Sequence, residues 1–231
     1  MTRKILIIVL SLIMSNNAFA QNNAFECIYE ATSVIPANVQ EMPDDNIKRA
    51  VIAQLSQNVK TYTLLFSEGK YLFYENSKSN TASVGGITSI YREQNSNTSI
   101  SQENILDKKF IIKENIPSFE WEIHSETINI NGRNCIKATL KDNKSIVAWF
   151  AGDIPIAIGP LGYCGLPGLI VRLETATRIY ELSAMTKKDN LNIIPPTEGK
   201  VITREEFTQI KNQKMKEYGG NSSGGVRIIR M

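Results

Sequence analysis

The stretch GPLGYCGLPGLIVRLE, residues 159–174, holds four glycines and two prolines among leucines and isoleucines. Glycine and proline are typical of turns, but turns are usually polar. The stretch belongs to a long connection between a strand predicted to end near Phe150 and another predicted to begin near Leu169. Loops of this length are functional or disordered, and disorder requires low hydrophobicity. We therefore predict an ordered loop that folds as a lid or plug onto the concave face or open end of a sheet.

The glycines and prolines of this loop predict how its backbone turns. Pro167–Gly168 is a preferred central pair of a type II turn, which requires a positive φ at Gly168. Such a turn would lead directly into the strand LIVRLE. Gly162 and Gly165 are predicted to leave room for the backbone to lie against a neighbouring segment.

The same loop provides the candidate binding residues. If it closes a ligand site, its aromatic and apolar side chains form the rim of that site. The alternative is that the motif only closes the core, since conformationally demanding glycines and prolines suffice to explain it. The candidates are Trp149, Asp153, Pro155, Tyr163, Leu166, Pro167 and Gly168.

Strand patterns dominate the rest of the chain. Two aromatic-rich runs joined by SEG predict a hairpin with Gly69 in the positive-φ region. Between Lys78 and Asn104, which is rich in Ser, Asn and Thr, only a weak strand within flexible loops is predicted. About nine strands joined by short turns imply antiparallel pairing.

Two helices interrupt this pattern. Apolar residues recur at helical spacing after Asp44 or Asp45, and Thr203 and Glu206 have the spacing of a capping box. A long antiparallel sheet with few helices tends to curl. We predict a mainly-β or α+β fold, with a single curved antiparallel sheet like an open half-barrel and two short helices.

Residues 1–20 are predicted to be a secretory signal peptide. Two basic residues precede an apolar run over residues 5–14, and small residues mark a cleavage site between Ala20 and Gln21. The apolar run is too short to span a bilayer, and no transmembrane segment is expected after the leader is removed. The expected location is periplasmic or secreted.

The chain after the leader is predicted to form one domain, residues 21–218, followed by a flexible tail, residues 219–231. The whole sequence carries 26 basic and 23 acidic side chains, and removing the leader with Arg3 and Lys4 leaves a near-balance. A nucleic-acid-binding protein would show a basic stripe, so no nucleic-acid partner is expected.

Export would place the three cysteines where disulfides form. Three pairings are possible, and a Cys135–Cys164 bridge is favoured because it would pin the loop to a strand. The alternative is that Cys27, Cys135 and Cys164 are all small buried thiols.

Few residues offer catalytic chemistry. His124 is the only histidine, which excludes zinc sites built from several imidazoles, and no metal or cofactor is expected. A hydrolase would need Cys135 or Cys164 beside His124 as a thiolate, or the carboxylates of Glu120, Glu122 and Glu126 acting together. On an exposed strand face, those carboxylates would only be solvated.

The loop closely resembles the hexapeptide after which the bacterial GLPGLI family is named, which stands here at residues 165–170. The resemblance implies an exported protein of Gram-negative bacteria whose biochemical function is uncharacterised. Family members often have a basic residue just before the aromatic that precedes the hexapeptide, but here Gly162 precedes Tyr163. The resemblance extends to AWF (148–150), Asp153-Ile154-Pro155, Gly159-Pro160 and INGRNCIKAT (130–139).

These observations predict an exported, non-enzymatic binding module for an apolar ligand such as a lipid, or for a partner protein of the cell envelope. A curved sheet with an apolar lid and no convergent catalytic groups favours binding over catalysis. The alternatives are the hydrolase described above and a purely structural envelope protein.

Overall fold

The computed structural model describes residues 24–76 and 84–219. The predicted leader, its cleavage site at Ala20–Gln21 and the predicted tail beyond Gly219 lie outside these residues. The helices are α1 (Ala37–Gln40), α2 (Asp45–Gln57) and α3 (Arg204–Gly219). The strands are β1 (Ala24–Ser33), β2 (Lys60–Ser67), β3 (Lys70–Glu75), β4 (Val84–Glu93), β5 (Thr98–Ile105), β6 (Lys108–Asn115), β7 (Trp121–Ile130), β8 (Arg133–Leu140), β9 (Val147–Ala151), β10 (Leu169–Glu174), β11 (Arg178–Lys188) and β12 (Lys200–Ile202).

All twelve strands form one sheet, in the order β12-β6-β5-β4-β3-β2-β1-β11-β10-β9-β8-β7. The predicted fold, an open sheet with short turns between antiparallel strands, is confirmed. The structure has twelve strands and three helices, where about nine strands and two helices were predicted. The sheet is also mixed and not purely antiparallel, because β12 pairs in parallel with β6. Parallel strands cannot be joined by a tight hairpin, and here strands β7–β11 come between β6 and β12 along the chain.

The sheet curls strongly. Strands β6 and β7 are joined only by residues 116–120, yet they lie near opposite ends of the strand order. Six residue steps from Asn115 to Trp121 span at most about 21 Å. Ten strand spacings in a flat sheet would separate them by about 48 Å. The β7 end of the sheet must therefore bend back toward β4–β6, which creates a concave face.

Strands β4 and β5 occupy a region where only one weak strand was predicted. Their sequence lacks the apolar alternation expected of a strand, because the buried face of β5 carries Ser99, Ser101 and Glu103. These groups are tolerated inside because Arg204 of α3 binds Glu103 and Ser101, with Nη1–Oε1 and Nη2–Oγ distances of 2.6 and 3.2 Å. A buried polar group with a partner costs little, so the strand forms without apolar alternation.

Two covers shield the concave face. The loop between β9 and β10, residues 152–168, is called the motif loop, and it packs with β1–β4 and β8–β11 in the main core. Helix α3 covers a second core, where the rings of Phe110 and Phe207 meet at 5.7 Å. Directly opposite residues in a sheet face the same side, and Arg92, Ser99 and Glu114 are opposite one another across β4–β6. Both covers therefore lie on one face.

The predicted helix starts agree with the structure. Asp44 caps α2, because its side chain accepts hydrogen bonds from the backbone N–H groups of Asn46 and Ile47. Thr203 and Glu206 form the reciprocal bonds of a capping box at the start of α3. Among the described residues, none of the helices combines the length and apolar character needed to cross a membrane.

The motif loop is ordered and packed, as predicted, but it does not cover a large hollow. Ile154, Ile158 and Leu166 point into the core and are almost fully buried. Beside the loop lies a cavity of about 40 Å³. The loop therefore acts as a plug that fills the concave face with side chains.

The predicted type II turn at Pro167–Gly168 is wrong. Gly168 does not have a positive φ, and its N–H instead bonds to the Leu166 carbonyl at 2.8 Å, which makes Pro167 the centre of a γ-turn. Glycine is required there for space, because a Cβ at 168 would overlap the carbonyl group of Ala151. Left-handed backbone occurs instead at Gly162 and Gly165, with φ of 77° and 92°.

The predicted Cys135–Cys164 disulfide is also wrong. All three cysteines lie in the described residues and are free thiols. Cys135 is buried in β8, with its Sγ 3.7 Å from the carbonyl oxygen of Arg133. Cys164 Sγ instead lies 3.5 Å from Arg92 Nη1. The alternative of three small buried thiols agrees with the structure for Cys27 and Cys135, whereas Cys164 is only partly buried.

Candidate functional site

The predicted binding residues do not converge. Pro155 and Pro167 are exposed at the centres of tight turns. Leu166, expected on a rim, is only 1% exposed, and Gly168 is buried beside β9. These residues build the plug, and Leu166 has no surface to offer a ligand.

Two further candidates lie away from the cavity. Trp149 donates from Nε1 to Glu174 Oε1 at 3.3 Å, and Lys137 Nζ lies 5.8 Å from its ring centroid. Asp153 is exposed and pairs with Arg133 at 3.2 Å. Only Tyr163, among the seven candidates, lines the cavity.

The cavity opens beside Tyr163 and is called the Arg92 cleft. Its volume is about 40 Å³. Strands β2, β3 and β4, the chain after β6 and the motif loop all contribute to its walls. The lining residues are Phe66, Gly69, Tyr71, Arg92, Gln94, Ile116, Ile158, Gly162, Tyr163 and Cys164.

An aromatic cluster borders the cleft. The ring centroid of Tyr163 lies 4.8 Å from that of Phe119 and 5.9 Å from that of Trp121. Trp121 also ties this edge to the motif loop, because its Nε1 donates to the carbonyl oxygen of Cys164 at 2.9 Å. These three half-buried rings are called the aromatic rim.

Arg92 is the charged group of the cleft. The residue is only 7% exposed, although it carries a full positive charge. Its Nη1 donates to the carbonyl oxygen of Gly162, and its Cζ lies 5.8 Å from the ring centroid of Phe119. Its Nε is buried and has no hydrogen-bond partner among the described residues. Burying a charged group without full pairing is costly, so the arrangement needs an explanation.

Tyr71 holds the motif loop in place beside Arg92. Its hydroxyl donates to the Gly159 carbonyl at 2.8 Å and accepts from the Gly162 N–H at 3.0 Å. Burial raises the pKa of Tyr71 above its usual range. The phenol therefore stays protonated and keeps both hydrogen bonds at neutral pH.

Gly162 is fitted to the guanidinium of Arg92. A Cβ at 162 would lie 2.6 Å from Nη2, 2.8 Å from Cζ and 3.2 Å from Nε. These similar distances place Gly162 over the flat face of the guanidinium. The sequence has no basic residue at 162, and the structure brings the charge of Arg92 to this place from β4.

Cys164 is not an activated nucleophile. Burial raises the pKa of its thiol above the usual value, although the nearby Arg92 acts in the opposite direction. Thiols that react at neutral pH have a lowered pKa. Cys164 therefore contributes an uncharged, soft wall to the cleft.

The Cys135–His124 pair of the hydrolase alternative is not formed. His124 Nε2 lies 2.8 Å from Thr139 Oγ1, whereas Cys135 is paired across the strands with Ile128. Burial also raises the pKa of the Cys135 thiol. The geometry therefore supplies neither a base for this thiol nor a thiolate.

The carboxylates of the hydrolase alternative are bound to lysines. Lysine hydrogen bonds lower the pKa of Glu122 and Glu126, so neither is poised as a general acid. Within the described ranges, no cluster of His, Cys, Asp and Glu is placed to hold a metal. The pairs are Glu120–Lys141 at 3.4 Å, Glu126–Lys137 at 2.8 Å, and Glu122–Lys144.

Sequence reasoning missed Arg92 and Tyr71. Both residues could have been recognised from the two-residue period of a strand. Tyr71 lies two residues before Phe73, and Arg92 lies two residues after Ile90, so each points to the same face as an apolar residue of its own strand. An arginine at an inward position of a strand indicates a special site. The prediction of loops between Lys78 and Asn104 hid this alternation.

Comparisons with known proteins agree with the fold and leave the function open. Residues 139–172 match a family model described as "Protein of unknown function (Porph_ging)". The comparison with curated proteins gives no match. Among solved structures, the chain is similar to PNGF-II in a C2 crystal form, with a TM-score of 0.54 and 15% identity, and in a P21 form, with a TM-score of 0.52 and 16% identity. Each match covers 83% of this chain and 33% of the PNGF-II chain, so this chain spans a third of that length.

Proposed function

We propose that this chain is an exported cell-envelope protein of the GLPGLI type that binds a partner protein at the Arg92 cleft and its aromatic rim. The single observation that carries the proposal is a buried arginine, without an acidic partner, in a cleft bordered by three aromatic rings. The leader pattern of residues 1–20 supports export, and the motif at residues 165–170 supports the family.

The size of the cleft favours a protein partner over a lipid. Sites for small molecules are typically about 300–1,000 Å³. The Arg92 cleft holds about 40 Å³, because the motif loop fills the concave face. A partner protein needs to insert only one group there while the rest of its surface covers the rim.

The composition of the site is also that of an interface. Tyrosine, tryptophan and arginine are the residues that most often dominate the binding energy of protein interfaces. Tyr163, Trp121 and Arg92 meet at this edge of the molecule. Each is held by packing or hydrogen bonds before any partner arrives, which limits the entropy lost on binding.

Site-specific photo-crosslinking in the native host tests the proposal. A benzophenone amino acid is placed at Gln94 or Tyr163, in the cleft, and at Tyr74, on the opposite face of the sheet. We expect the same crosslinked protein from positions 94 and 163 and none from 74. Equal products at all three positions, or no product from a folded and exported chain, would contradict partner binding at this cleft.

Two simpler measurements separate the alternatives. The mass of the protein recovered from the envelope fraction is expected to correspond to a chain that begins at Gln21. A fluorescent fatty acid is expected not to bind the folded mature chain. Saturable fatty-acid binding would favour the apolar-ligand alternative.

A further inference from the structure

Arg92 has one edge without partners. Nη1 makes the two hydrogen bonds of this guanidinium, to the Gly162 carbonyl and to Cys164 Sγ. Nε is fully buried and has no hydrogen-bond partner in the described part of the chain. Both hydrogen bonds found for Arg92 there come from Nη1, which leaves Nη2 without one as well. Together Nε and Nη2 form the side-on edge of a guanidinium, which binds both oxygens of a carboxylate at once.

No acidic side chain of this protein neutralises that edge. All 23 acidic residues lie in the part of the chain that the structure describes. None of the ion pairs found there includes Arg92. A buried charge without a counter-ion is destabilising, and an external anion on this edge would offset that cost.

The cleft has the size of one small planar group. A single water needs about 10–15 Å³ of such space, and the cleft offers about 40 Å³. Gly162 covers one flat face of the guanidinium, and the donors without a partner lie along the Nε–Nη2 edge. Phe66, Ile116 and Ile158 give the cleft an apolar wall, which suits the carbon next to a carboxylate, and Gln94 adds a polar side chain to the lining.

We propose that the Arg92 cleft binds a carboxylate of a peptide, with one oxygen on Nε–H and the other on Nη2–H. This inference rests on the proposed function and names the chemistry that the partner presents. The carboxylate belongs either to the end of a chain or to an Asp or Glu side chain, and the aromatic rim covers the residue that carries it.

NMR titration of the mature chain tests the inference. The Nε–H signal of Arg92 is assigned by its absence in Arg92→Lys. The probes are N-acetylphenylalanine for a terminal carboxylate, N-acetylglutamic acid α-amide for a side-chain carboxylate, and N-acetylphenylalaninamide as a control without a carboxylate. We expect the Nε–H signal to shift and saturate at millimolar concentrations with a carboxylate probe, and the amide to bind at least about tenfold more weakly.

Variants provide the matched controls. Arg92→Lys keeps the charge but loses the two-donor edge, so carboxylate affinity should fall at least about tenfold. Arg133→Lys, which changes an exposed arginine paired with Asp153, should leave affinity unchanged. The inference is overturned if no carboxylate moves the Nε–H signal of the folded wild type, or if the amide moves it equally.

Failure of carboxylate binding can be distinguished from failure of the proposed partner binding. Crosslinking from positions 94 and 163 that persists while every carboxylate fails would keep partner binding and reject this chemistry. Carboxylate binding without a crosslinked protein would keep the site and reject the protein partner. Whichever probe binds more tightly identifies the source of the carboxylate.

Discussion

At the scale of residues, the glycines of the motif loop share a spacing but not a reason. Every third residue from Gly159 to Gly168 is glycine. Gly162 and Gly165 need the left-handed backbone, whereas Gly159 and Gly168 lie too close to β10 and β9 for a side chain. The sequence shows the spacing, but the reasons depend on strands that only the folded chain brings near.

Gly168→Ala should destabilise the protein by about 2–3 kcal/mol, because its Cβ would overlap the Ala151 carbonyl. Gly152→Ala is the matched control, since a Cβ at 152 meets nothing within 4 Å. That change should leave the free energy of unfolding unchanged or raise it by up to about 1 kcal/mol. Urea unfolding measures both, and equal effects would contradict the packing described for Gly168.

Tyr71→Phe should cost about 1–3 kcal/mol, because the Gly159 carbonyl and Gly162 N–H both lose their buried partner. The control is Tyr91→Phe, whose hydroxyl makes no hydrogen bond with the described residues. We expect a change within about 0.5 kcal/mol there. A neutral Tyr71→Phe variant in the same unfolding assay would mean that its hydroxyl does not hold the loop.

Arg92 shows why the candidate site was only partly predictable. Tyr163 was identified because an aromatic residue in a glycine-rich loop stands out. Arg92 lies 70 residues from the carbonyl it binds, in a region with little apolar alternation. No local sequence pattern indicates that Arg92 and the Gly162 carbonyl are in contact.

At the scale of elements, local signals predicted what local chemistry decides. The hairpin at Gly69, which has φ of 75°, and the caps at Asp44 and Thr203 are confirmed because each depends on neighbouring residues. Strand β5 was missed because its buried Glu103 is paired with Arg204, 101 residues away. The polar face of β5 can be buried because Arg204 pairs with Glu103.

Arg204→Met should lower the free energy of unfolding by about 2–3 kcal/mol, because it leaves the carboxylate of Glu103, which is 8% exposed, without its cation. Lys214→Met, in the same helix, should change it by less than about 0.5 kcal/mol, since the Lys214–Glu217 pair faces solvent. Equal changes in thermal or urea unfolding would show that α3 is not anchored through Glu103.

At the scale of the whole molecule, the open curved sheet was predictable from the many short turns. Which distant segments of the chain come into contact was not predictable. The disulfide prediction failed for the same reason, since the separation of Cys135 and Cys164 depends on the path of the motif loop. We expect thiol titration of the denatured, unreduced protein to give three free thiols. A count of one free thiol would show that the other two cysteines form a disulfide.

The folded protein should lose stability in alkaline solution. Burial raises the pKa of Cys27 from 9.0 to about 12. The unfolded chain therefore releases the Cys27 proton at a lower pH than the folded chain does. The contribution of this thiol to the free energy of unfolding is complete below pH 9 and is lost as the pH rises toward 12. The loss approaches about 1.4 kcal/mol per pH unit. The free-energy difference between wild type and Cys27→Ala should shrink from pH 8 to 10.5, and parallel curves would contradict the shift.

The position of β1 has a consequence for synthesis. The first described strand lies in the interior of the sheet, between β2 and β11. Its second partner emerges from the ribosome only after Arg178–Lys188 has been made. Until then a nascent chain presents β1 with a bare edge, which invites pairing with other chains. The assembly of this sheet therefore waits for β11, which comes eleventh of its twelve strands along the chain.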